Sequence, residues 1–208
     1  MKDKLKVGVL ASGRGSNFEA LAKACQAEDY PATIVILIVD NPDAGALKIA
    51  ERMGIESVMV DCGPKRGSMT PASSEEMTRL CKERGVGLVC LAGFMRIVKG
   101  KLLEEYGGRM LNIHPALLPS FRGLHGQKQA LDYGVRYSGC TVHFIDEGVD
   151  TGPIIVQTVV PILQDDSEET LSARILKEEH KAYPEAVKLF AEGRLRIEGR
   201  RVFISNDE

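Results

Sequence analysis

Asn112 and His114 stand two positions apart in the stretch NIHPALLPSFRG, residues 112–123. A proline disfavours the helical region for the residue before it, so Pro115 holds His114 extended. In extended chain, residues two apart share a face. Asn112 and His114 therefore point one way and Ile113 the other. An amide N–H beside an imidazole can hydrogen-bond one oxygen that gains negative charge in a tetrahedral intermediate. The imidazole can also move a proton near neutral pH. Taken alone, a single histidine here reads first as a turn residue satisfied by a backbone carbonyl.

Two other stretches carry chemistry of the same kind. Residues 146–152, DEGVDTG, place Asp146, Glu147 and Asp150 in one turn. On its own this is a solvated hairpin; if one carboxylate turned inward toward His114, it would raise the histidine's pKa. Spacing does not choose among the three acids. Residues 11–17, ASGRGSN, precede a helical pattern. Small residues there let backbone N–H groups approach an anion at a helix N-terminus. Gly13 and Gly15 fill the first two places of a dinucleotide fingerprint, but Phe18 fills the third. Asp40 stands where a ribose-binding acid would sit, which keeps that reading open. A single phosphate fits better, with Ser16 and Asn17 adding polarity. The bland alternative is a tight turn with Ser16 or Asn17 as N-cap.

The absent motifs narrow the field. There is no H-E-x-x-H, and the histidines lie far apart in the sequence, which argues against a zinc site. G-x-S-x-G is absent, and no Walker lysine follows the glycine loop. Cys90 and Cys140 sit in apolar runs and read as core thiols. The pattern favours direct transfer chemistry, without a metal or a covalent enzyme intermediate.

These residues need a scaffold, and the first half supplies alternating elements. Strands are expected at 5–10, 33–39, 57–60 and 87–92, with helices at 18–27, 44–53 and 73–84. Ser73 or Ser74 is the expected N-cap of the last of these. Continuous apolar strands between helices argue for a parallel sheet covered on both faces. After residues 109–112 the pattern changes. A helix is expected at 125–133, antiparallel strands at 138–145 and 154–160, and a long helix at 170–192 interrupted near Pro184. The tail LRIEGRRVFI reads as a hairpin around Glu198 and Gly199. The expected fold class is α/β: a Rossmann-like parallel sheet in the N-terminal half, extended to a mixed sheet. One domain is expected over residues 1–208, with a phosphate-binding half at about 1–108 and a catalytic half at about 109–208.

Composition agrees with that size and class. The 208 residues are 44% hydrophobic and 27% charged, an ordinary globular balance. A net charge of −2 offers no footprint for nucleic acid. No apolar window approaches the roughly 18 residues of a membrane span. The N-terminal run ends in glycines and reads as a buried strand, not a signal peptide. Five scattered cysteines form no C-x-x-C, so a reduced, cytoplasmic location is expected.

Four blocks taken in order, GVLASGRGSNFEAL, LVCLAGFMRIV, LNIHPALLPSFRGLHG and VHFIDEGVDTGPII, resemble the glycinamide ribonucleotide formyltransferases. The resemblance runs from about Lys6 to the end of the long helix. It implies the formyltransferase fold, with helices on both sheet faces. It also implies transfer of a formyl group from the co-substrate 10-formyltetrahydrofolate to the amine of glycinamide ribonucleotide, with no metal. It assigns Asn112 and His114 to the oxyanion, and Asp150 to raising the pKa of His114 and organising proton transfer. Gly15, Ser16 and Asn17 match the phosphate site, and Glu179 a ribose contact. Met95, Arg96, Ile97 and Val98 match the folate cleft, as apolar wall and backbone hydrogen bonds. Asp146, Glu147, Gly148 and Val149 match the turn that closes over the same co-substrate.

The sequence departs from that pattern in three places. Leu176 stands where a polar or basic residue is usual, and Arg122 where proline is frequent. A family arginine in the loop before the third helix has only Lys65 and Arg66 as basic neighbours here. The nearest rivals are formyltetrahydrofolate deformylase and methionyl-tRNA formyltransferase, which normally add an N-terminal and a C-terminal domain respectively. This chain is expected to have room for neither. A nucleotide-binding module would leave NIHP and the acidic turn unexplained, and a dinucleotide oxidoreductase lacks the third glycine. The expected partners are thus the two small-molecule substrates, without nucleic acid or membrane. The sequence leaves the oligomeric state open.

Overall fold

The protein is described here as a computed structural model covering residues 3–65 and 67–206. Arg66 lies outside the described residues. The chain divides into two compact units, Met1–Leu111 and Asn112–Glu208.

In the first unit, β1 (Leu5–Ala11), β2 (Ala32–Val39), β3 (Ser57–Met59) and β4 (Leu88–Leu91) lie in the order β3-β2-β1-β4. All their pairings are parallel, as the apolar runs predict. β1 meets β2 along its whole length, but β3 meets only Leu37, Ile38 and Val39. Val9, Leu10, Leu37, Ile38 and Cys90 are fully buried. Strands this apolar must be covered, because each buried large aliphatic side chain stabilises by roughly 1.5–3 kcal/mol.

Helices α1 (Ser16–Cys25), α2 (Gly45–Met53), α3 (Pro71–Glu83) and α4 (Lys101–Tyr106) complete the unit. One expected cap, at Ser73 or Ser74, is corrected, and the alternative cap at Ser16 or Asn17 is not formed. α1 is capped by Gly15 at φ 83°, with no side-chain cap from Ser16 or Asn17. A Cβ on Gly15 would fall 2.7 Å from Ala46 Cα, so only glycine allows this approach to α2. α3 is capped by Thr70, whose hydroxyl accepts from the Ser73 amide, with Pro71 opening the helix. Such a cap contributes about 1 kcal/mol. Ser73 and Ser74 are buried inside the helix instead. α4 was not expected from the pattern.

β5 (Met110–His114) carries the chain across the division. The second unit holds α5 (Gly126–Tyr133), β6 (Tyr137–Phe144), β7 (Ile154–Pro161), α6 (Glu168–Ala191), β8 (Leu195–Glu198) and β9 (Arg201–Ile204). β6 and β7 pair antiparallel, as expected, and α6 packs on both. β8 and β9 form the expected hairpin, and β9 joins β7 in parallel at Ile154 and Arg201. The expected break near Pro184 is absent: α6 runs unbroken for 24 residues. An interior proline costs about 3 kcal/mol. Burial of Tyr183, Val187 and Leu189 on the same stretch offsets it. The fold class is the expected one, a mixed α/β architecture.

Candidate active site

β5 places Asn112 and His114 within its last three residues. The β6–β7 turn brings Asp150 to them. Asp150 adopts the left-handed conformation at φ 51°, which aspartate tolerates better than most residues. Gly152 makes the return possible, since a Cβ there would collide with the Phe144 carbonyl oxygen. Asp146 organises the same turn by accepting from the Gly148 amide and the Thr151 hydroxyl. Val149 is left exposed. Thus one of three candidate acids turns inward, and it is Asp150.

The Asp150 carboxylate is the centre of the cluster. Its Oδ2 lies 3.2 Å from His114 Nδ1 and accepts from the Gly123 amide at 2.8 Å. Its Oδ1 accepts from Asn112 Nδ2 at 3.3 Å and lies 3.5 Å from His143 Nε2. His143 is the member that the sequence reading missed. In β6 it shares a face with Thr141, and both are buried. Two polar residues two apart on an apolar strand were the available signal.

Hydrogen-bond partners assign the protons. His143 Nδ1 lies 2.7 Å from the Phe144 carbonyl, so Nδ1 carries hydrogen. With Nδ1–H fixed, Nε2 accepts from Asn112 Nδ2 at 3.3 Å in the neutral ring and is a donor toward Asp150 Oδ1 in the protonated one. His114 Nε2 donates to the Phe121 carbonyl at 2.8 Å. The bland reading of His114, a backbone-satisfied turn histidine, is therefore realised at one nitrogen while Asp150 faces the other. Both nitrogens of His114 meet acceptors, an arrangement that suits the imidazolium. Burial acts the other way and is the largest influence, pulling His114 below its ordinary value of 6.5 against the attraction of Asp150. The net direction is thus opposite to the raised pKa expected from the carboxylate alone. Burial would likewise raise Asp150, but the His143 ring, the His114 charge and the Gly123 amide outweigh it and hold that carboxyl low.

A stability consequence follows from the sign of the histidine shift. Above 6.5, His114 is neutral in both folded and unfolded chain, and it contributes no pH dependence. Below 6.5 the unfolded chain takes up a proton that the folded site resists, so stability falls with pH until the lowered folded pKa is passed. Thermal unfolding of wild type and His114→Gln between pH 7 and 5 should show a steeper loss in wild type. Parallel curves would refute the shift.

The remaining candidates are placed separately. Gly15, Ser16 and Asn17 form the head of α1 in the first unit. Met95 and Ile97 are exposed there, while Val98 is buried. The Arg96 guanidinium turns inward to Asp40, Nε to Oδ2 at 2.6 Å. That pairing engages the acid which a dinucleotide site would need for its ribose. Glu179 lies on the buried face of α6, and Glu147 and Gly148 are exposed in the turn. Leu176 is half-buried and Arg122 exposed. No group of His, Cys, Asp and Glu among the described residues has the arrangement of a metal site. No helix among them is long and apolar enough to cross a membrane.

The profile of the formyl transferase family matches residues 5–187. The chain belongs to the formyl transferase family. The chain is 42% identical over 183 residues to phosphoribosylglycinamide formyltransferase of Bacillus subtilis (strain 168), covering 88% of this chain and 93% of that one. It is 47% identical over 190 residues to the trifunctional purine biosynthetic protein adenosine-3 of Drosophila melanogaster. That match covers 90% of this chain and 14% of the relative, so the chain spans a small part of that protein's length. The chain also superposes on glycinamide ribonucleotide transformylase 1 from Symbiobacterium toebii with a TM-score of 0.94. Identity there is 46%, covering 99% of this chain and 96% of that one.

Proposed function

We propose that the chain transfers the formyl group of 10-formyltetrahydrofolate to the amine of glycinamide ribonucleotide, a step of purine biosynthesis. The observation that carries this reading is the Asn112, His114 and Asp150 cluster, in a chain that aligns over 93% of the Bacillus subtilis formyltransferase.

The substrate amine attacks the formyl carbon, forming a C–N bond and an oxyanion. Collapse of that intermediate breaks the bond to N10 of the folate, and the amine's proton ends on N10. His114 and Asn112 serve the oxyanion as hydrogen-bond donors. The negative charge of the intermediate favours the imidazolium, offsetting the burial that otherwise lowers His114. The Nε2–H now held by the Phe121 carbonyl is the donor an oxyanion would take over. Asp150 supports the charged ring from Nδ1 and keeps it oriented. No protein nucleophile is needed.

In the same reading, Gly15, Ser16 and Asn17 hold the ribonucleotide phosphate at the head of α1, and Glu179 takes the ribose. Met95, Arg96, Ile97 and Val98 offer the folate an apolar wall and backbone groups. Asp146, Glu147, Gly148 and Val149 supply the turn over the co-substrate. The two units act as halves of one formyltransferase domain, about 1–108 and 109–208. The partners are small molecules, no resident metal takes part, and the setting is a reducing cytoplasm, in keeping with five cysteines that form no disulfide.

The test is an assay with both substrates. Tetrahydrofolate and formylglycinamide ribonucleotide should appear in equal amounts, and neither without the ribonucleotide. Release of formate at the same rate without the ribonucleotide would replace this reading with that of a hydrolase.

A further inference from the structure

The Arg96 guanidinium is engaged at Nε and at Nη1. Nε donates to Asp40 Oδ2 at 2.6 Å. Nη1 reaches three backbone carbonyls: Gly63 at 3.2 Å, Lys65 at 2.8 Å and Ser68 at 3.1 Å. The Asp40 side chain is only 4% exposed, and its second oxygen is buried with no hydrogen-bond partner. Beside this cluster the Ile97 amide donates to the Gly67 carbonyl at 3.1 Å, and Gly67 and Arg96 form an isolated bridge. A planar guanidinium with several donors in a fixed fork suits such a set of acceptors; a lysine ammonium, a compact point charge, does not.

We propose that Arg96 is a positioning residue: a tethered cation that fills a cradle of three carbonyls and one carboxylate and fixes the loop residues 61–65 and 67–69 to the segment 94–98. Its guanidinium is not a contact for the carboxylates of the folate tail. The effect on catalysis rests on the proposed formyl-folate reaction, because the segment 94–98 is the part assigned to that co-substrate. The clamp itself does not depend on that reading. Asp40 is the matching half. Removing Arg96 leaves a buried carboxylate without its counter-charge, and removing the Asp40 charge leaves the guanidinium held by carbonyls alone.

The experiment uses the full chain as wild type, Arg96→Gly and Asp40→Asn. Amide hydrogen exchange over 61–65, 67–69 and 94–98 should quicken about tenfold or more in Arg96→Gly. Millimolar guanidinium chloride should restore the protection, and sodium chloride at equal ionic strength should not. Asp40→Asn should quicken the same peptides, which keeps the test open if Arg96→Gly fails to fold. In turnover, Arg96→Gly should raise KM for the formyl donor about tenfold, with kcat and the ribonucleotide KM changed less than about twofold. The same penalty should persist with a formyl donor that lacks the glutamate tail. Unchanged exchange in both variants would overturn the proposal, and so would a KM penalty that vanishes with the tail-less donor. A wild type without formyl transfer would remove the functional reading, while the exchange results would still decide the clamp.

Discussion

Asp150→Asn should lower kcat by about 10³–10⁴-fold, the scale seen when a carboxylate that orients a catalytic imidazole becomes an amide. Both ligands should still bind, with dissociation constants changed less than about threefold. The geometry gives the reason. With its amide oxygen at the Oδ2 position, asparagine keeps the Gly123 amide but turns its NH2 toward the Asn112 amide, donor against donor. In the opposite orientation the NH2 faces the Gly123 amide and donates to His114 Nδ1, locking the ring neutral. Either way, the negative charge that supports the imidazolium is gone. Steady-state kinetics with calorimetric binding checks this, and turnover within about tenfold of wild type would remove Asp150 from its role.

His114→Gln should cost about 10²–10⁴-fold in kcat, the usual contribution of a positioned acid–base group. Glutamine can keep a donor toward the Phe121 carbonyl, so the loop that His114 holds at 2.8 Å need not come loose. What glutamine cannot do is carry a transferable proton. The residual rate of the variant should therefore lose the histidine's inflection in its pH profile, while wild type keeps it. Adding Asp150→Asn to His114→Gln should cost little more, because the two residues act as one unit. Full multiplication of the two single effects would show that they act independently.

The parallel strands of the first unit were legible because β2 and β4 are continuous apolar runs, and β1 and β3 largely apolar ones, between helical patterns. The β6–β7 hairpin was legible from its Gly- and Asp-rich turn. α4 was not, because its six residues bury only Leu102 and Tyr106, too few for a period to show. Ser73 and Ser74 drew the N-cap away from Thr70, although Pro71 marked the true start. At the site, the shared face of Asn112 and His114 followed from the extended chain alone. The choice of Asp150 over Asp146 and Glu147 came from family resemblance, since turn conformation, not spacing, decides which acid points inward. His143 went unnoticed because its partners are 31 positions away, at Asn112, and in the following turn. The Asp40–Arg96 pair spans 56 positions and leaves no local trace in the sequence. The direction of the His114 shift required the depth of its burial, which no motif encodes.

The short reach of β3 along β2 has a consequence for the chain before it is folded. β2 reads ATIVILIV, without a charge, a proline or a glycine. Segments of this kind are the ones that stack between copies when left open. On the β3 side, only Leu37–Val39 are paired. During synthesis or refolding, residues 32–36 are the stretch of the first unit best suited to template another molecule. Aggregation in this protein should thus begin at the strand that builds its core, in the interval before α1 and α2 close over it.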